Sequence, residues 1–257
     1  MIVWLDGAHD PSENMRRDRA LLAAAEAGAD PVLRLFAFDP HGITLGASQN
    51  PERVLDVERC RGDGVPWAVR PTGGRAIFHA EEWTYALACP IAHPEWGGSQ
   101  ALAYDRMSDL LVRSLRSLGV PADLGRPERR DEGSNAAACF ASTTRHEVTV
   151  HGAKLVGSAQ RRTQHALLQQ GSVLLGDGHL RLADYVPDGD ALREPLRRRA
   201  ATAAAWLGSA PALDRWRDAL VAELPADTPR VEGTQGLFLL TLEKHGSYTA
   251  ALTNPEA

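Results

Sequence analysis

The stretch from Gly133 to Leu175 gathers the side chains best suited to chemistry. Cys139 sits among small residues in the run Ala136-Ala137-Ala138-Cys139-Phe140, and Lys154 lies in a glycine-flanked turn. The chain carries 28 lysine and arginine residues, of which only Lys154 and Lys244 are lysines. A lysine is a compact point charge whose pKa shifts readily, so it can do chemistry that a guanidinium cannot. The bland readings stand beside these: Cys139 as a small packing residue, Lys154 as a solvated turn residue.

A second cluster lies upstream. Arg70-Pro71-Thr72-Gly73-Gly74-Arg75 is a glycine turn between two strands, followed by His79. It reads either as a hairpin turn with surface arginines or as a loop whose backbone amides approach a ligand, flanked by two cations and a histidine. His79 is read as a structural hydrogen-bonder before it is read as a base.

The elements that must position these residues follow from periodicity. Arg145 to Val150 alternates as a strand, Gly152 supplies a permissive turn, and Lys154 to Ala159 continues with small residues where a ligand can approach closely. Gln169 to Leu175 is a further apolar strand. Upstream, Met1 to Leu5 predicts a strand. A helix from Glu13 to about Ala27, capped by Asp10 or Ser12, has Met15, Leu21, Leu22 and Ala25 on its apolar face. Val32 to Phe38 predicts a strand with Gly42 to Ala47 as its hairpin partner. Glu52 to Arg61 predicts a helix, and Val65 to Arg70 and Trp83 to Cys89 predict strands. Gln100 to Leu118 has a helical stripe of Leu102, Met107, Leu110, Leu111 and Leu115. Gly125 to Gly133 reads as a charged surface loop, Ala212 to Leu224 as a helix, and Leu237 to Asn254 as a last helix. The expected architecture is α+β, a mixed β-sheet packed by helices, in one domain over 1–257 with a small helical extension at about 187–257.

Bulk properties narrow the function class. The net charge of −5 argues against a nucleic-acid binder. No apolar run approaches the ~18 residues of a membrane span. Cys60, Cys89 and Cys139 have no metal-type spacing, and so sparse a set suggests free thiols in a reducing cytoplasm. No metal or cofactor is expected.

With both clusters in view, the sequence resembles the biotin/lipoate A/B protein ligase family. Its lipoyl-pathway members carry a turn of the form RR-x-x-GG-R-x-x-x-H, matched by Val69 through His79, with Val69 in place of the first arginine. They also carry G-x-K-x-x-G-S-A-Q-R, matched by Gly152, Lys154, Gly157, Ser158, Ala159, Gln160 and Arg161. The helix opening Ser12-Glu13-Asn14-Met15 and an L-G-x-x-Q strand end at Gln49 are similar too, so the likeness spans about residues 3 to 186. Ala80 follows His79 where related proteins often place an acid.

The resemblance implies the class II synthetase-like catalytic fold. It is strongest to octanoyltransferases whose cysteine precedes the lysine strand in an A-x-C-F context, as in Ala137-Ala138-Cys139-Phe140. What it implies is transfer of octanoyl from octanoyl-acyl carrier protein to a lysine of lipoyl domains, on the glycine cleavage H protein or a 2-oxoacid dehydrogenase E2 subunit. Cys139 and Lys154 would be catalytic, and Arg70, Gly73, Gly74, Arg75, His79, Gly157, Ser158 and Ala159 would bind substrate. A neighbouring ammonium favours the cysteine thiolate, and a thioester intermediate suits a two-step transfer. Three alternatives share the scaffold. One is an ATP-dependent lipoate or biotin ligase needing no cysteine, another an octanoyl amidotransferase between lipoyl-type proteins, and the third a non-catalytic binder of lipoyl domains.

Overall fold

The computed structural model describes residues 1–125, 147–208 and 211–240. Cys139, its alanine run, most of the expected 125–133 loop and the end of the expected last helix lie outside the described residues.

In chain order, β1 (Ile2–His9) leads into α1 (Pro11–Glu26), then β2 (Val32–Phe38) and β3 (Gly42–Leu45). Two short helices follow, α2 (Pro51–Val54) and α3 (Val57–Gly62), then β4 (Trp67–Val69), β5 (Ile77–His79) and β6 (Glu82–Pro90). Helix α4 (Gln100–Ser117) precedes β7 (Asp123–Leu124). Beyond the gap come β8 (Val148–Val150), β9 (Ala153–Lys154), β10 (Val156–Arg162) and β11 (Ala166–Leu174). A 3-10 helix at Asp177–Asp184, α5 (Gly189–Arg199), α6 (Ala204–Leu207), α7 (Leu213–Ala222), β12 (Arg230–Glu232) and a 3-10 helix at Gly233–Leu240 complete the order.

The main sheet has six strands in the order β10-β11-β6-β2-β1-β12. The successive pairs β10–β11, β11–β6 and β6–β2 are antiparallel, and β1 is parallel to both β2 and β12. A three-stranded sheet β4-β3-β5 and a small sheet β7-β8-β9 stand beside it. The architecture is α+β with a mixed sheet, as the strand-dense sequence predicts.

Helix α1 covers one face of the main sheet, its Met15, Leu21, Leu22 and Ala25 all buried. Asp10 caps it by accepting from the Ser12 and Glu13 amides, and Pro11 occupies its first turn. The other face packs Tyr85, Leu87 and Cys89 against Met107, Leu110, Leu111 and Leu115 of α4 and against Trp216 of α7.

Four expectations need correction. Strand β3 is not the hairpin partner of β2. Both edges of β2 are taken by β1 and β6, and β3 pairs instead with β4 and β5. The helix expected over Glu52 to Arg61 is two helices, because Leu55 takes an extended backbone and Asp56 caps a new start by accepting from the Arg59 amide. Leu102 is 42% exposed and Ala103 fills the core side in its place. Strand 154–159 is interrupted at Leu155, which separates β9 from β10. No helix among the described residues is long and apolar enough to cross a membrane.

Candidate active site

The glycine turn is built around a buried cation. Gly74 has φ of +91°, a conformation that favours glycine, and a side chain there would meet Arg70 Nη2 at 2.7 Å. Arg70 itself is buried. Its Nη2 donates to the Gly73 carbonyl at 2.8 Å and the Arg75 carbonyl at 2.7 Å, its Nε donates to Gly73 as well, and its Nη1 donates to Thr44. A rigid guanidinium fork satisfies these diverging carbonyls where a single ammonium could not. The turn is also pressed from behind: a Cβ on Gly46 would lie 2.0 Å from the Gly74 carbonyl oxygen. Gln49 fixes that neighbour by accepting from the Gly46 amide at 2.9 Å.

Thr44 carries the chain of contacts to His79. The His79 Nε2 lies 2.7 Å from Thr44 Oγ1, and its Nδ1 lies 2.5 Å from Glu82 Oε1. The imidazole stacks on Phe38 with ring centroids 3.9 Å apart. Glu82 Oε1 also accepts from Thr84 at 2.8 Å and Ser172 at 3.1 Å. His79 is thus held at both nitrogens and on one face, which makes it a fixed wall.

A second buried network ties helix α1 to the sheet. Arg34 is fully buried and donates to Asp6 and Asp18, each at 2.6 Å, and to the Asn14 side chain at 2.6 Å. Asn14 in turn donates to the carbonyls of His9 and Ala37. Gln170 donates to Asp18 and accepts from Thr72 at 2.6 Å, reaching the glycine turn from β11. Burial pushes the Asp18 carboxyl up, opposed by the Arg34 guanidinium.

Between the two sheets lies a cavity of about 20 Å³. Its walls include Met15, Phe36, Phe38, Ile77, Gln170 and, of the residues expected from sequence, Arg70, His79, Gly157, Ser158 and Ala159. Gly73, Gly74 and Arg75 form the adjoining turn, where a Cβ on Gly74 would lie 3.8 Å from the Ala159 side chain. Ser158 hydrogen-bonds the Tyr85 hydroxyl at 2.8 Å, and burial pushes that phenol up to about 12. Gly171 opposite leaves the room this pair needs: its Cβ would sit 2.4 Å from the Tyr85 ring. A groove of about 480 Å³ opens beside the turn, with exposed Arg19 and Arg161 donating to the carbonyls of Val69 and Pro71.

Lys154 is not among the residues lining the cavity. It is buried, and its Nζ lies 2.6 Å from Glu147 Oε1. The hairpin explains the meeting. His151 and Gly152, both at positive φ, turn the chain so that Val150 faces Ala153 and Thr149 faces Lys154. Glu147 is two residues further along that strand, the diagonal neighbour of Lys154. Glu147 is also the first described residue after the segment that holds Cys139. The other two cysteines are buried, and desolvation raises both thiols, Cys89 to about 12.

Sequence reasoning missed Glu147, Glu82, Thr44 and the network of Arg34 and Asp18. The hairpin register alone held the signal for Glu147; the others meet only through tertiary pairing.

Comparison with known proteins places this geometry. The pattern of the lipoyl protein ligase A/B catalytic domain matches residues 10–224. Octanoyltransferase LipM of Kyrpidia tusciae is 39% identical over 191 residues, which are 72% of this chain and 70% of that protein. Octanoyltransferase LipM of Moorella thermoacetica is 39% identical over 172 residues, 66% of this chain and 63% of that protein. Among solved structures, lipoate-protein ligase A bound with ATP matches 93% of this chain and 92% of its own, with a TM-score of 0.71 and 18% identity. A bi-partite lipoate protein ligase from Thermoplasma acidophilum matches 93% of this chain and 90% of its own, with a TM-score of 0.70 and 19% identity. Likeness at such identities speaks for the fold. The 39% relatives and the match over 10–224 speak for descent, and the chain belongs to the lipoyl protein ligase A/B catalytic domain family.

Proposed function

We propose that this acyltransferase moves an octanoyl group from octanoyl-acyl carrier protein to a lysine of a lipoyl domain, through a thioester on Cys139. The acceptors would be lipoyl-type proteins such as the glycine cleavage H protein or a 2-oxoacid dehydrogenase E2 subunit. One observation carries the reading. A single segment, 152–161, holds a buried ammonium at one end and supplies Gly157, Ser158 and Ala159 to the cavity at the other. The 39% identical relatives, both octanoyltransferases by name, point the same way.

The chemistry balances without ATP. The Cys139 thiolate attacks the donor thioester, the new carbon–sulfur bond forms, and the carrier thiol departs. The acceptor amine then attacks the enzyme thioester, the carbon–nitrogen bond forms, the cysteine thiolate is released, and the amine proton passes to solvent. Lys154, fixed by Glu147, supplies positive charge for the thiolate and for the oxyanion that develops. Arg70 is buried within the turn, whereas Arg19 and Arg161 are exposed on the adjoining groove, so these two take the part of meeting an anionic donor or acceptor surface.

The test is intact mass after mixing with octanoyl-acyl carrier protein in the absence of ATP, followed by addition of a lipoyl domain. One octanoyl group on the wild type, none on Cys139→Ala, and onward transfer to the lipoyl domain are expected. Strict ATP dependence, or full transfer by Cys139→Ala, would overturn the reading in favour of a ligase.

A further inference from the structure

A cavity of about 20 Å³ holds about one water and falls far short of an eight-carbon chain. For a chain to enter, some wall must move, and the walls differ in what holds them. His79 is bonded at both ring nitrogens and stacked on Phe38. Phe36 lies under the Arg34 guanidinium, 3.8 Å from its ring centre. Arg70, Thr44, Thr84, Ser172, Ser158 and Gln170 are each spent in the hydrogen bonds described above. Ile77 is β-branched and stiff about χ1. Phe38 is stacked on the fixed His79 ring and lies against Phe36, with ring centroids 3.9 and 5.7 Å away. Gly157, Ala159 and Gly171 have no movable side chain.

Met15 remains. It has three rotatable bonds and a soft thioether. Its Sδ accepts only weakly, from Gln170 Nε2 at 3.5 Å. The helix beneath it cannot retreat, because Asn14 and Asp18 on either side are pinned to β2 and the β1 end through Arg34, Ala37 and His9. A soft side chain on a fixed backbone makes a gauge of length.

We propose that Met15 is the movable wall of this cavity and sets the length of saturated acyl chain the protein accepts. The inference rests on the acyl-transfer reading for its substrate class. Removing Met15 bulk lengthens the space for the chain, and replacing it with a rigid ring shortens it. Each buried methylene contributes about 0.8 kcal/mol, roughly fourfold in kcat/KM.

The experiment compares acyl carrier protein thioesters of six, eight, ten and twelve carbons in the wild type and in Met15→Ala, Met15→Phe and Met15→Leu. The readout is the ratio of kcat/KM between chain lengths within one variant, so a general loss of stability cancels. Met15→Ala should raise the twelve-to-eight ratio by at least roughly tenfold, and Met15→Phe should raise the six-to-eight ratio. Met15→Leu, of similar volume, should keep the wild-type ratios. Ratios in the Ala and Phe variants that stay within about twofold of wild type would overturn the gauge while leaving the transferase reading intact. Calorimetric binding of free octanoate and dodecanoate is the second readout. A shift of affinity toward dodecanoate in Met15→Ala without any turnover keeps the gauge and removes the transferase; unchanged affinities overturn the gauge. Met15→Val replaces Met15→Ala in both measurements if the alanine variant does not fold.

Discussion

Lys154 and Glu147 face each other across the β8–β9 hairpin at 2.6 Å, both buried. Two charges removed from water stabilise each other as a pair, and deleting one partner takes that compensation from the other. Glu147→Ala is therefore expected to destabilise the protein by about 3–5 kcal/mol in urea unfolding. The double variant Lys154→Met with Glu147→Leu should recover most of that loss, because well-packed apolar side chains replace buried pairs at little cost. It should still transfer no acyl group. Recovery of both stability and activity would show that Lys154 is structural only.

The cysteines give a second expected outcome. With its thiol raised to about 12, Cys89 holds about one part in ten thousand as thiolate at pH 8, and Cys60 is buried with its thiol raised as well. Native protein treated with iodoacetamide at pH 8 should thus take no label on Cys60 or Cys89, and the nucleophilic role proposed for Cys139 predicts a single label there. The sign is plain: a raised thiol pKa suppresses the thiolate at any pH below it, so labelling of Cys60 and Cys89 should appear only after unfolding. Peptide mapping by mass spectrometry reads it, and native labelling of Cys89 would contradict the burial seen in β6.

Much of this arrangement could be read from sequence, and the failures have a common physical origin. The apolar stripe of α1 and the continuous apolar runs of β6 and β11 are local patterns, so these elements were legible. The pairing of β3 was not. Adjacent strands usually pair, but β2 is central and apolar on both faces, and its neighbours come from β1 and from β6 beyond the second sheet. Arg34 in that strand is the hub of a buried network whose partners lie on other elements, which no local pattern announces. The motif positions 70–79 and 152–161 were visible as chemistry. That Arg70 is spent on the carbonyls of its own turn became visible only with Thr44, which arrives from β3.

Arg70 yields the third prediction. Its guanidinium holds carbonyls of Gly73, Arg75 and Thr44 from one plane. A lysine keeps the charge but reaches one or two of them, leaving buried carbonyls unpaired at about 1–3 kcal/mol each. Arg70→Lys should lower stability by about 2–4 kcal/mol and abolish transfer. The same variant with wild-type thermal stability would mean that the turn does not depend on the fork.

The last prediction concerns Gly46, which stands behind the glycine turn. Gly46 lies at the end of β3 with ordinary backbone, so alanine there carries no φ penalty. What alanine meets is backbone: its Cβ would stand 2.0 Å from the Gly74 carbonyl oxygen and 2.8 Å from its carbon. A carbonyl in a tight turn cannot swing aside as the end of a long side chain would. The Gly73–Gly74 turn must therefore shift outward, and it is the same turn that Arg70 organises and that faces Ala159 across the cavity wall. The effect should fall on the chemistry more than on the fold. Gly46→Ala is expected to lower kcat/KM for octanoyl transfer by about 10²-fold, the scale of a 1 Å misplacement, while its unfolding midpoint in urea drops modestly. Gly62→Ala, at a glycine with open space around its Cβ position, serves as the control and should leave both unchanged. Equal loss of stability and activity in Gly46→Ala, tracking one another across temperature, would mean that the turn and the site are not coupled through this contact.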